Sequence, residues 1–353
     1  MDGFVSQTGI GDENSGPVSS GRQHASGGGR ADGGAVRPAG SAAPHRGPRF
    51  DAAVPPGGYL WWYLDGISDD KRYAITLIAF VGSVFSPYYA WSGRRDPLNH
   101  CAINVALYGK PGARWTMTER GRNAVQRDAD TFRVGPSSLR WVDGALEITL
   151  DEISAPLPKR VRGTIRVTPT AFPSRAFTLD GDGKHVWQPI APKTQIEVSL
   201  NKPNLNWRGT AYLDSNFGSE PLEDAFKEWT WSRAHLSRDS VVLYDAERRD
   251  GTHATLALRF DPEGYVQQVA SPPLTPLAST KLWHIPRSTR ADADQSISLR
   301  QTLEDTPFYA RTILDTQLYG EPAQAFHESL LLDRLRMPIV RAMLPFRMPR
   351  RIF

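Results

Sequence analysis

A chain of 353 residues with 40% apolar side chains and ten tryptophans is long enough for two domains and can fill a substantial core. Its net charge of +4, from 42 basic and 38 acidic residues, does not mark a nucleic-acid binder. A single cysteine, Cys101, excludes an internal disulfide framework and a cysteine-built zinc cluster.

Residues 1–50 hold twelve of the thirty glycines and almost no large apolar side chain, so this segment is expected to be a disordered tail. It lacks the basic-then-apolar pattern of a secretion signal. The longest apolar run, Ala74–Val84, is eleven residues, too short for a bilayer, so no transmembrane helix is expected. Order is expected from about Pro56. "GYLWWYLDG" and "YAITLIAF" read as strands around a "DDKR" turn, and "NHCAINVALYG" with "RWTMTERGR" as the next hairpin. "VDG" between two β-rich runs is a strong hairpin signal. "RVRGTIRVTP", "HVWQPIAP" and "TQIEVSL" follow as strands, then "NWRGTAYLDSNFG" and the hairpin "SVVLYDAERRDGTHATLALRF". Helical amphipathicity is expected only in "AQAFHESLLLDRLRMPIVRAML". Short strands with turns every 8–12 residues predict an all-β sandwich or barrel. A faint echo between "WWYLDGISDDKRYAITLIAF" and "WTWSRAHLSRDSVVLYDAERRDG" is what two barrels of similar design would produce.

Four residues stand out as candidates for chemistry. Tyr212 and Asp214 are two apart in "YLDSN", and His185 and Trp187 are two apart in "HVWQP", so each pair shares a strand face. Asp214 reads equally as a turn cap and as a catalytic acid. His185 alone suits a structural imidazole, and Trp187 and Tyr212 suit the core. Trp229 and Trp231 in "WTWSR" also read as core, and Arg233 as a buried partner for Asp214 or Asp245. No dinucleotide, P-loop, nucleophile-elbow or zinc-protease motif is present, and no two histidines have metal-ligand spacing. Between Arg334 and Arg351 lie six arginines and no acid, interleaved with Met, Ile, Leu and Phe. Such a tail suits peripheral contact with an anionic membrane.

Several blocks together resemble the carotenoid 1,2-hydratase (hydroxyneurosporene synthase) family. They are "GYLWWYLDGISDDKRYAITLIAFVGSVFSPYYAW", "DPLNHCAINVALYG", "RWTMTERGR", "VGPSSLRW", "HVWQPIAP", "GTAYLDSNFG" and "WTWSRAHL", and they cover most of residues 57–260. The resemblance implies cofactor-independent addition of water to the terminal C1=C2 bond of an acyclic carotene. Neurosporene would give 1-hydroxyneurosporene and lycopene rhodopin, on the route to spheroidene or spirilloxanthin. It implies two tandem lipocalin-like (calycin) barrels, expected here over residues 51–195 and 196–335, with a basic apolar tail at 336–353. The family's proposed site residues fall on His185, Trp187, Tyr212 and Asp214, with Asp214 as the acid. His185 would either position the attacking water and take its proton, or hydrogen-bond Asp214 and hold its acidic form. One departure from the expected pattern is Thr230, where an acidic residue is expected. The implied setting is the cytoplasmic face of the inner or intracytoplasmic membrane, without nucleic acid. A carotenoid or lipid carrier of the same fold, or a polyene or terpenoid cyclase or isomerase, is the alternative reading.

Overall fold

A computed structural model of the chain describes residues 47–351, and the expectation of disorder for the segment before Gly47 lies outside them. The protein is mostly β. Tyr59–Ser68 and Ala74–Val81 pair antiparallel, as do Cys101–Tyr108 and Arg114–Arg120. The "VDG" turn joins Ser137–Val142 to Ala145–Ile153. Asp143 and Gly144 both take positive φ there, as a two-residue hairpin turn requires. The runs "HVWQPIAP" and "TQIEVSL" form one strand, His185–Lys202, with bulges around Pro189 and Ala191. Pro189 can donate nothing to the ladder, so it is tolerated beside a bulge.

Two large sheets result. The first has thirteen strands, and its centre is the Tyr59–Ser68 strand lying antiparallel to Asn204–Gly218, with His185–Lys202 beyond. The second has seven among the described residues, ordered from Val266–Gln268 through His253–Phe260, Ser240–Arg248, Phe226–His235, Glu321–Leu331 and Tyr309–Leu318 to Ser298–Asp305. The division expected at residues 195/196 falls inside the His185–Lys202 strand.

Strand alternation sorts the side chains into layers. Leu60, Trp62 and Leu64 join Ile103, Phe132, Ile148 and Val198 in one cluster, so strands far apart in the first sheet curl over a shared core. Tyr59, Trp61 and Tyr63, on the opposite face of the same strand, join Trp187, Tyr212, Trp229, Trp231, Tyr244 and Phe326 in a second cluster between the two sheets. Phe50 corrects the expected tail boundary. It is buried, packs edge-on to Trp62 at 4.8 Å, and stacks near Phe132 and Trp141.

The segment expected to be an amphipathic helix is largely something else. Glu321–Leu331 is a strand, followed by the short helices Leu332–Arg336 and Pro338–Met343 and a 3-10 turn at Leu344–Phe346. The β-sheet supplies a partner on each side of Glu321–Leu331, which outweighs its helical spacing. Among the described residues, no helix is long and apolar enough to cross a membrane.

Candidate active site

Asp214 lies near the middle of the Asn204–Gly218 strand, opposite Tyr63 on one neighbour and Pro189 on the other. Tyr212, Asp214 and Asn216 point into the layer between the sheets, as the period of two dictates. Asp214 is only 4% exposed. Its Oδ2 accepts hydrogen bonds from the Trp187 indole N–H and the Tyr212 hydroxyl, both at 2.7 Å, while Oδ1 is buried with no partner. Burial pushes its pKa up to about 8. The bonds from Trp187 and Tyr212 oppose that rise, and the charges of Glu328 and Asp65 add to it. The carboxyl is therefore neutral at pH 7, with its proton on Oδ1, since Oδ2 already accepts twice.

A small cavity of about 40 Å³ borders Asp214, walled by Trp61, Tyr63, Asn216, Trp229, Trp231, Tyr244 and Glu328. A larger one of about 320 Å³ shares Trp61, Tyr63, Trp229 and Glu328 with it. It continues past Phe80, Phe85, Trp115 and Phe308 to Leu282, Met343 and Phe346, which are exposed to solvent. The two lie on either side of a shared aromatic wall, with the buried acid beside the smaller one.

Of the four residues singled out in the sequence, three converge. Trp187 and Tyr212 hold Asp214 through their polar hydrogens and do not line the small cavity, although the Tyr212 ring packs on Trp231 at 5.1 Å. His185 stands elsewhere in the layer. Its Nδ1 pairs with the Tyr59 hydroxyl at 2.8 Å, and its Nε2 lies 3.5 Å from a Glu220 carboxylate oxygen. Burial holds its pKa below the usual imidazole value. Tyr59 in turn stacks on Trp61 at 4.8 Å, so His185 meets the cavity wall through Tyr59. Gly218 makes this possible, because a Cβ there would run into the Tyr59 ring.

Arg233 pairs with neither carboxylate named for it. It binds Asp65, fully buried, in a charge-assisted contact between the two sheets. Asp245 is taken by Arg290. Glu328 is the residue that the sequence did not reveal. Its Oε1 accepts from the Tyr63 hydroxyl and from Arg311 Nε, both at 2.8 Å. Arg311 also binds the Tyr108 hydroxyl, which reaches Glu304. Read at strand rather than helix period, "FHESL" would have put Phe326, Glu328 and Leu330 on one face.

Residues 77–353 match the family model described as carotenoid hydratase CrtC. The chain is 53% identical to the acyclic carotenoid 1,2-hydratase of Thiocapsa roseopersicina, over 99% of this chain and 87% of that one. It is 51% identical to the acyclic carotenoid 1,2-hydratase of Rubrivivax gelatinosus, over 86% and 76%. A crystal structure described as an AttH of Nitrosomonas europaea superposes with a TM-score of 0.53 at 16% identity, covering 84% of this chain and 98% of that one; it shares the fold. With these relatives and this buried acid, the chain belongs to the carotenoid hydratase family of hydro-lyases.

Proposed function

We propose that Asp214 is the acid that starts hydration of the terminal C1=C2 bond of an acyclic carotene, with neurosporene and lycopene as substrates. The observation that carries this reading is a neutral, buried carboxyl beside an aromatic cavity, with an unpartnered Oδ1. An isolated trisubstituted alkene is a weak base, so it needs a strong acid held close and dry. Oδ1 gives its proton to C2, leaving a tertiary cation at C1. Negative charge grows on the carboxylate as this happens. The two donors already aimed at Oδ2 meet that charge without reorganising. The faces of Trp61, Trp229, Trp231 and Tyr244 suit the cation, each contact contributing on the order of 0.5–2 kcal/mol. Water then bonds to C1 and loses a proton, giving the tertiary alcohol. His185 serves as a positioning residue through Tyr59 and Trp61.

The larger cavity admits one end of a long polyene and leaves the rest outside, where lipid can hold it. Peripheral contact with an anionic membrane fits this geometry, but the arginines do not carry it alone. Arg341, Arg347 and Arg350 face Glu223, Glu304 and Glu119, and Arg334 and Arg336 bind backbone carbonyls. The apolar rim of Leu282, Ile339, Met343 and Phe346 is the surface offered to lipid. The two large sheets lend support to a reading of two tandem lipocalin-like units, with the change from one sheet to the other after the Asn204–Gly218 strand.

The test is Asp214→Asn, incubated with lycopene in ¹⁸O-labelled water. Loss of labelled alcohol with carotene binding retained is expected; near-normal product would remove Asp214 from the acid role.

A further inference from the structure

Capture of water at C1 also releases a proton that some group in the cavity must accept. We propose that Glu328 accepts it, so that hydration uses two carboxyl groups from two different sheets. This rests on the assignment of Asp214 as the acid.

Glu328 borders the small cavity together with Asp214 and also borders the larger one. Its position in the shared wall places it beside the point where C1 must stand if C2 meets Asp214. The carboxylate is fixed rather than free: the Tyr63 hydroxyl and Arg311 Nε both donate to Oε1. Arg311 is itself buried and braced by Tyr108. A carboxylate accepts about four hydrogen bonds, so the two donors on Oε1 and the adjacent Tyr309 hydroxyl still leave room for a water. Among the residues lining the small cavity, only Asp214 and Glu328 carry a carboxyl group.

An ion-paired carboxylate is a weak base, and that is sufficient. Water bonded to a tertiary cation is a far stronger acid than any carboxylic acid, so a modest acceptor takes its proton. The balance is complete. The Asp214 O–H bond breaks and C2–H forms; C1–O forms as one water O–H breaks, and that proton goes to Glu328. Glu328 then loses the proton to cavity water and Asp214 regains one, with no oxidant or cofactor involved.

The same logic gives a distinguishing signature. If protonation survives but water capture fails, the cation loses a proton to reform an alkene, and wherever the original C2 hydrogen or a C1-methyl hydrogen leaves in place of the delivered one, solvent hydrogen stays in the recovered carotene. In D₂O, Glu328→Gln should lower the hydration rate at least about 100-fold while recovered carotene still gains deuterium. Glu328→Asp keeps the charge against Arg311 but withdraws the carboxylate by one methylene. It should show the same signature more mildly, with hydration falling relative to exchange. Asp214→Asn should lose both hydration and exchange. Hydration retained in Glu328→Gln, or hydration and exchange falling together in both Glu328 variants, overturns the proposal for Glu328. Exchange persisting in Asp214→Asn overturns the acid assignment instead.

Discussion

Asp214 sits where an ionised carboxyl is costly, and this has two measurable consequences at the scale of one residue. With Asp214 as the proposed acid, the reactive form is the protonated one, so kcat/KM should fall as pH rises through about 8, read from a pH–rate profile with lycopene. Tyr212→Phe removes a donor that favours the anion. The alkaline limb should then move upward in pH while kcat drops about tenfold or more, because the departing proton leaves a less stabilised carboxylate. Stability carries the opposite mark. Below about pH 4, Asp214 is protonated both folded and unfolded and costs nothing. Between that pH and about 8, the unfolded carboxyl ionises while the folded one keeps its proton, and folding loses up to about 1.4 kcal/mol per pH unit. Asp214→Asn should therefore be more stable than the parent near pH 8, by a few kcal/mol at most. The gap should close toward pH 4 in urea titrations. A stabilised, inactive variant is the usual sign of a site under functional strain.

At the scale of elements, the two sheets are joined by one buried ion pair, Asp65 with Arg233, and Tyr63 also bonds Asp65. Arg233→Met leaves the Asp65 charge buried alone and should cost about 3–5 kcal/mol in denaturant titrations. Adding Asp65→Asn should recover most of that loss, and an additive double variant would count against the pair as the cause. The hairpins were legible in the sequence because their signals are local: alternation, "DDKR", "VDG", "RRDG". The spacing of two put Tyr212 with Asp214 and His185 with Trp187 on shared strand faces, while the idea that they form a site came from the family resemblance. Glu328 was hidden because "AQAFHESLLLDRLR" carries helical spacing, and only pairing with Phe226–His235 and Tyr309–Leu318 makes it a strand. Partners brought together by folding, such as Asp65 with Arg233, leave no local mark.

For the whole molecule, the site belongs to neither sheet. Asp214, Trp61 and Tyr63 come from the first, and Trp229, Trp231 and Glu328 from the second. Polyene entry at the apolar rim leads to a further expectation. Replacing Ile339, Met343 and Phe346 together by serine should weaken binding to anionic vesicles several-fold and raise KM for liposomal carotene, while activity on detergent-dispersed carotene is largely kept. Equal losses in both media would dissociate the rim from lipid contact. The echo noted between "WWYLDG" and "WTWSR" has a spatial meaning. Trp61 meets Trp229, Tyr63 meets Trp231 and Asp65 meets Arg233, all at one offset of 168 residues. That constant offset works as a ruler across evolutionary time. A single substitution along these two strands disturbs one contact. Inserting or deleting one residue before Trp229 within its strand would instead swing Thr230 and Ser232 toward the cavities and turn the tryptophans away. The dry wall would become a row of hydroxyls in one step, so a change in length at this seam disturbs every contact along it at once.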